Sequence, residues 1–90
     1  MRRAQDHVGL LVRSAAERVA GFLLALANRE GNATEVVLPM PRQDIADYLG
    51  LTIETVSRTL TQLENAATIA LPSARHVVLR NATALRGLIR

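Results

Sequence analysis

The chain of 90 residues contains no cysteine, no lysine and no tryptophan, and Phe22 and Tyr48 are its only aromatic residues. Without cysteine, these residues cannot form a disulfide framework, a thiolate zinc site or a thiolate-held iron–sulfur cluster. With so few aromatics, the core has to be aliphatic, built from Leu, Val, Ile and Ala. At 49% hydrophobic residues, one small domain with a modest core is expected over 1–90. No apolar run is long enough to cross a bilayer. The opening stretch MRRAQDHVGLLVRSAAERV carries arginine near its front, but Asp6, Arg13, Glu17 and Arg18 interrupt any signal-peptide core. A reducing, cytoplasmic setting is expected. The triplets Asn32–Thr34 and Asn81–Thr83 are then read as chance matches to a glycosylation pattern.

What the chain does have is arginine, unevenly placed. The net charge is +3, from 11 basic and 8 acidic residues. Residues 1–64 carry 7 Arg against 8 Asp and Glu, whereas residues 65–90 carry 4 Arg and no acid. A basic C-terminal third suits an element that touches phosphates. Charge alone leaves a merely solvated basic surface equally open.

The stretch 42–63, RQDIADYLGLTIETVSRTLTQL, is the most specific signal. A helix from about Arg42 to Leu49 puts Ile45, Ala46 and Leu49 on one face. Gly50 suits the left-handed backbone of a tight inter-helix turn. Thr52 is a natural N-cap for a second helix, in which Val56, Leu60 and Leu63 face inward. Glu54, Ser57 and Arg58 are left on the opposite face within two turns of the start. A helix-turn-helix presents this part of its second helix to base edges in the major groove. Arginine there can donate twice to guanine, and glutamate can accept from cytosine N4. Polar residues at such spacing usually mark only a solvated face. Behind a glycine turn and a threonine cap, and followed by a basic segment, they point to base readout.

The flanking elements are readable from periodicity. A leading helix over about 4–27 has an apolar stripe of Val8, Leu11, Val12, Ala15, Val19, Phe22, Leu23 and Leu26. Arg13 and Glu17, four apart, can pair on it. Asn28 to Thr34 is a loop with Gly31 and Asn32 as turn residues. Glu35 to Met40 is a short β-branched run ending at Pro39. Thr68–Leu71 and His76–Leu79 read as a hairpin, turning at Pro72, Ser73 and Ala74. Asn81 caps a last helix from about Ala82 to Ile89. The expected fold is α+β, mainly helical: a winged helix-turn-helix with a long leading helix, a helix-turn-helix at about 42–64 and a wing at about 68–79.

Other polar residues carry plainer readings. His7 and His76 have no carboxylate or cysteine cluster joined to them and read as structural. Asp44 favours its helix N-terminus through the dipole, and Asp47 is surface. Ser14, Ser57 and Ser73 have no base placed nearby, so no nucleophile is expected. There is no glycine-rich phosphate loop. No enzyme, metal or cofactor is implied.

At these residues the chain resembles the C-terminal DNA-binding domain of the Crp/Fnr superfamily of bacterial transcription regulators, most closely its Fnr and FixK branches. The stretch LPMPRQDIADYLGLTIETVSRTL carries most of the likeness. AERVAGFLLAL and ARHVVLRNATALRGL extend it over most of the chain. In those branches a Glu is followed three and four residues later by Ser-Arg, which here are Glu54, Ser57 and Arg58. The resemblance implies TTGAT-type half-sites in an inverted repeat, and Ile53 fits the same branches. It places Arg42 and Gln43 at phosphates. Ser73 and Arg75 near the wing turn, and Thr52 at the helix start, complete the backbone contacts. The implied partners are double-stranded DNA, a second copy in a homodimeric parent regulator and RNA polymerase; no membrane is implied, and this chain on its own is expected to be a monomer unless residues 1–12 self-associate.

Three departures stand out. Pro41 replaces a Ser or Thr cap. Ala67 replaces the usual glycine before the first wing strand, so a remodelled helix end is expected. The family's sensory β-roll and most of its dimerisation helix are outside these residues, as in an isolated domain or a short relative. The alternative function is a winged-helix protein-interaction or dimerisation module, with the stripe of the leading helix as its surface.

Overall fold

The computed structural model describes residues 14–89. Its elements are α1 (Ala15–Arg29), β1 (Glu35–Val37), α2 (Arg42–Leu49), α3 (Ile53–Asn65), β2 (Ile69–Ser73), β3 (His76–Leu79) and α4 (Ala82–Leu88). The order is the expected one, and the differences lie at element ends.

The leading helix starts later than its apolar stripe suggests. Ser14 is extended, at φ −68° and ψ 168°, and its side chain accepts from the Glu17 backbone N–H. Glu17 returns the bond, Oε1 accepting from the Ser14 N–H at 2.7 Å. This reciprocal capping box stops the helix at Ala15. Val8, Leu11, Val12 and Arg13 lie outside the described residues.

At the other end of α1, Gly31 and Asn32 take φ of 77° and 63°, left-handed turn conformations that glycine adopts freely and asparagine tolerates. The chain then enters β1, which ends at Val37, shorter than expected, although the Leu38 N–H still donates to the Arg75 carbonyl at 2.7 Å.

The three strands form one antiparallel sheet in the order β1-β3-β2. β3 is central, with Val36 opposite Val77 and Ile69 opposite Leu79. The hairpin differs from expectation, because Pro72 and Ser73 belong to β2 and the turn is Ala74–Arg75. Ala70 pairs with Val78 and Ser73 with His76, so Leu71 and Pro72 stand against Val77 alone. Proline has no N–H to give a ladder. On an edge strand, inside a bulge, it breaks no pairing.

The core lies where α1 meets α3, α4 and β1. Val19, Ala20, Leu23 and Ala27 of α1 are buried with Ile45, Ala46, Val56, Leu60, Ile69, Val77 and Leu85. It is aliphatic, as the composition requires. Phe22 is only partly buried, and its ring meets the exposed Tyr48 at 5.9 Å between centroids. Among the described residues no helix is long and apolar enough to cross a membrane.

Candidate nucleic-acid interface

The α2–α3 pair is set by two turns of the same design. Gly50 ends α2 in the left-handed region, at φ 72° and ψ 33°. Its N–H donates to Asp47 and that of Leu51 to Ala46, which closes the helix end. At the end of α3, Ala67 takes φ 60°. Its N–H donates to Glu64 and that of Thr68 to Leu63, both at 2.9 Å. The expected remodelling therefore does not occur: alanine adopts the glycine conformation, and the two recovered hydrogen bonds offset part of its strain.

Arg18, which periodicity places only beside the stripe of α1, reaches the α2–α3 turn. Its Nη1 donates to the Leu49 carbonyl at 2.9 Å and to that of Gly50 at 3.5 Å. A cation on the last carbonyls of α2 is well placed against the helix dipole. A Cβ on Gly50 would lie 3.3 Å from that Nη1. Arg18 thus joins α1 to the turn that aims α3. The contact spans 31 residues, and no local pattern could have announced it.

α3 begins with Thr52, whose Oγ1 accepts from the Thr55 N–H and donates to Thr55 Oγ1 at 2.9 Å. Val56, Thr59, Leu60 and Leu63 form its buried face. Glu54 and Arg58 are exposed and Ser57 is half-buried. Neither Glu54 nor Arg58 is held by an ion pair or side-chain hydrogen bond among the described residues. Both can therefore meet an incoming ligand without first breaking an internal contact.

α2 starts at Pro41 without a side-chain cap. Arg42 is half-buried, and its Nη1 donates to Ser57 Oγ at 3.4 Å. Gln43 is exposed, with Nε2 donating to Asp47 Oδ1 at 3.1 Å, so Asp47 is more than free surface. In the hairpin, Ser73 and Arg75 are exposed. Arg75 Nε donates to the Leu38 carbonyl at 3.0 Å, which fixes the turn to the end of β1. The fold therefore brings Arg42 to Ser57 and puts Thr52, Glu54, Ser57 and Arg58 in the first two turns of one helix. No side-chain hydrogen bond among the described residues links Ser73 or Arg75 to α3.

Sequence spacing gives His76 no acidic neighbour, yet its Nε2 pairs with Glu35 Oε2 across β1 and β3. The partnership depends on strand register, with Val37 opposite His76. Among the described residues no group of three or more His, Asp or Glu gathers as a metal site.

A glycine-turned helix pair packed on α1, with a β-hairpin after the second helix, defines a winged helix-turn-helix domain. Residues 17–88 match the model of the Crp-like helix-turn-helix domain family. The nitrogen fixation regulation protein FixK of Azorhizobium caulinodans is 61% identical over 94 residues, a match covering 98% of this chain and 38% of that protein. The fumarate and nitrate reduction regulatory protein of Salmonella typhimurium is 37% identical over 89 residues, covering 93% of this chain and 35% of that protein. The solved structure of FixK2 from Bradyrhizobium japonicum superposes with a TM-score of 0.81 at 50% identity, covering 99% of this chain and 46% of that one. The chain belongs to the Crp-like helix-turn-helix family and is FixK-like within it. It spans less than half the length of these relatives.

Proposed function

We propose that this chain is the DNA-reading domain of a Crp/Fnr-type transcription regulator, and that α3 recognises TTGAT-type half-sites of an inverted repeat. The observation that carries the proposal is the surface of Glu54, Ser57 and Arg58 on the first two turns of α3, opposite its buried face. Arg58 supplies the bidentate fork that suits guanine, Glu54 the acceptor that suits cytosine N4, and Ser57 a hydroxyl at a neighbouring base. Arg42, Gln43, Thr52, Ser73 and Arg75 hold the flanking phosphates. Gln43 shares its amide with Asp47, and the Thr52 hydroxyl proton is directed at Thr55. A phosphate has to draw both away from these neighbours, so these two contacts are the weaker ones.

In the parent regulator two such domains act as a homodimer, one recognition helix per half-site, in the cytoplasm and with RNA polymerase as a further partner. A single domain grips one half-site and loses the gain of linked binding. The interaction-module reading needs the apolar stripe of the leading helix to be free. In the described part of that stripe, Val19 and Leu23 lie in the core, and Phe22 and Leu26 pack partly buried against it.

The test is fluorescence anisotropy of this chain with a duplex carrying TTGAT half-sites as an inverted repeat and with a scrambled duplex, over a salt series. Tighter binding to the first at every salt concentration is expected. Equal, steeply salt-dependent binding to both would mean phosphate contacts alone and would overturn the half-site assignment.

A further inference from the structure

The contact between Arg42 and Ser57 limits what α3 can read. A serine hydroxyl has one donor and two acceptor lone pairs, so unconstrained it can meet almost any base edge. Here one lone pair is occupied, because Arg42 Nη1 donates to Ser57 Oγ at 3.4 Å. The guanidinium has donors only and cannot take the hydroxyl proton in return. No other side chain or carbonyl among the described residues takes it either. Arg42 is also held down against the protein: the residue is half-buried, and its Nε is buried with no hydrogen-bond partner among the described residues. Leaving a buried donor of a charged group unpaired costs stability, and a freely solvated phosphate-seeking arginine would not incur that cost.

We infer that Arg42 is a specificity-determining positioning residue, which makes the Ser57 hydroxyl a hydrogen-bond donor toward the major groove. Ser57 then selects a base edge that presents an acceptor: thymine O4, guanine O6 and N7, or adenine N7. It disfavours the exocyclic amine of cytosine, which could reach only the one lone pair that Arg42 leaves free and would bring a second donor up beside the guanidinium. Only Nη1 is used on Ser57, which leaves Nη2 for the phosphate contact proposed above. The inference rests on the DNA-reading function proposed above.

The test is selection from a pool of randomised duplexes, read by sequencing, with the wild-type chain, Ser57→Ala, Arg42→Met and the double variant. Thermal melting of each variant checks folding. Ser57→Ala is expected to lose about three- to tenfold discrimination against cytosine at one base pair of the half-site, the worth of a single net hydrogen bond. Arg42→Met is expected to lose discrimination at that same base pair, and the double variant no more than Ser57→Ala alone. Preferences at the base pairs read by Glu54 and Arg58 stay intact. If Arg42→Met does not fold, Arg42→Gln, two bonds shorter and unable to reach Oγ, is expected to give the same local loss. Arginine variants that weaken every sequence by one factor while the preference at the Ser57 base pair survives would overturn the inference and leave Arg42 a phosphate contact. A Ser57→Ala profile identical to wild type would overturn it as well. A wild-type chain that enriches no sequence would instead overturn the DNA-reading proposal, and this inference with it.

Discussion

Replacing Ala67 by glycine should stabilise this domain, although it removes a methyl group. Ala67 holds φ 60° at the end of α3, where an L-residue is strained by about 1–2 kcal/mol. Glycine relieves that strain but enters folding from a freer unfolded chain, at a cost of about 0.5–1 kcal/mol. Ala67 is exposed, so no cavity opens, and the backbone bonds to Glu64 and Leu63 do not depend on the side chain. The balance is a gain of about 0.5–1 kcal/mol, or a rise in Tm of about 2–8 °C for a domain of this size. Urea and thermal denaturation followed by circular dichroism would measure it, with an unchanged m-value as the sign that only stability moved. Ala66→Gly is the matched control. Ala66 sits at φ −83°, where glycine brings only its entropy cost, so a loss of about 0.5–1 kcal/mol is expected. If Ala67→Gly were no more stable than wild type, or if both variants moved in the same direction, the left-handed closure of α3 would be refuted.

Other perturbations separate the roles assigned to individual arginines. Arg18→Met keeps the aliphatic stem but strips the donor from the Leu49 and Gly50 carbonyls; a loss of about 1–2 kcal/mol in denaturant titrations is expected, and wild-type stability would contradict its anchoring role. Arg58→Ala should cost about 1–3 kcal/mol on the TTGAT duplex and relax discrimination at one base pair; equal loss on scrambled DNA in anisotropy titrations would remove Arg58 from base readout. Arg75→Ala should weaken both duplexes alike and lower the salt slope by about one; a loss confined to the TTGAT duplex would contradict a phosphate role.

Local chemistry makes the helix-turn-helix legible in the amino-acid sequence. A glycine where the backbone must be left-handed, a threonine where an N–H needs an acceptor and three inward apolar positions fix α2 and α3 within a few residues of each other. The same local logic extends to the start of α1. Ser14 and Glu17 have the spacing of a capping box, but the apolar stripe continues past them and favours a longer helix. Pro72 points to the wrong place for the wing turn because proline normally punctuates a strand. An edge strand with a bulge is the setting in which it does not, and neither the edge nor the bulge can be seen until the strands pair. The contacts between Arg18 and Leu49, Arg42 and Ser57, and Glu35 and His76 are not legible in the sequence. Each depends on tertiary docking or strand register rather than on neighbouring residues. For the candidate interface, sequence identifies which residues face outward on α3. It does not reveal that Ser57 is already engaged by Arg42, and that contact decides what Ser57 can offer a base.

Readout by α3 is tested most directly by amide chemical-shift mapping of the isotope-labelled chain titrated with the TTGAT inverted-repeat duplex. The largest changes are expected over residues 52–58, with smaller ones at Arg42, Gln43, Ser73 and Arg75, and a weaker response at Glu54 and Arg58 with scrambled DNA. Changes centred on α1, or the same pattern with both duplexes, would contradict readout by α3.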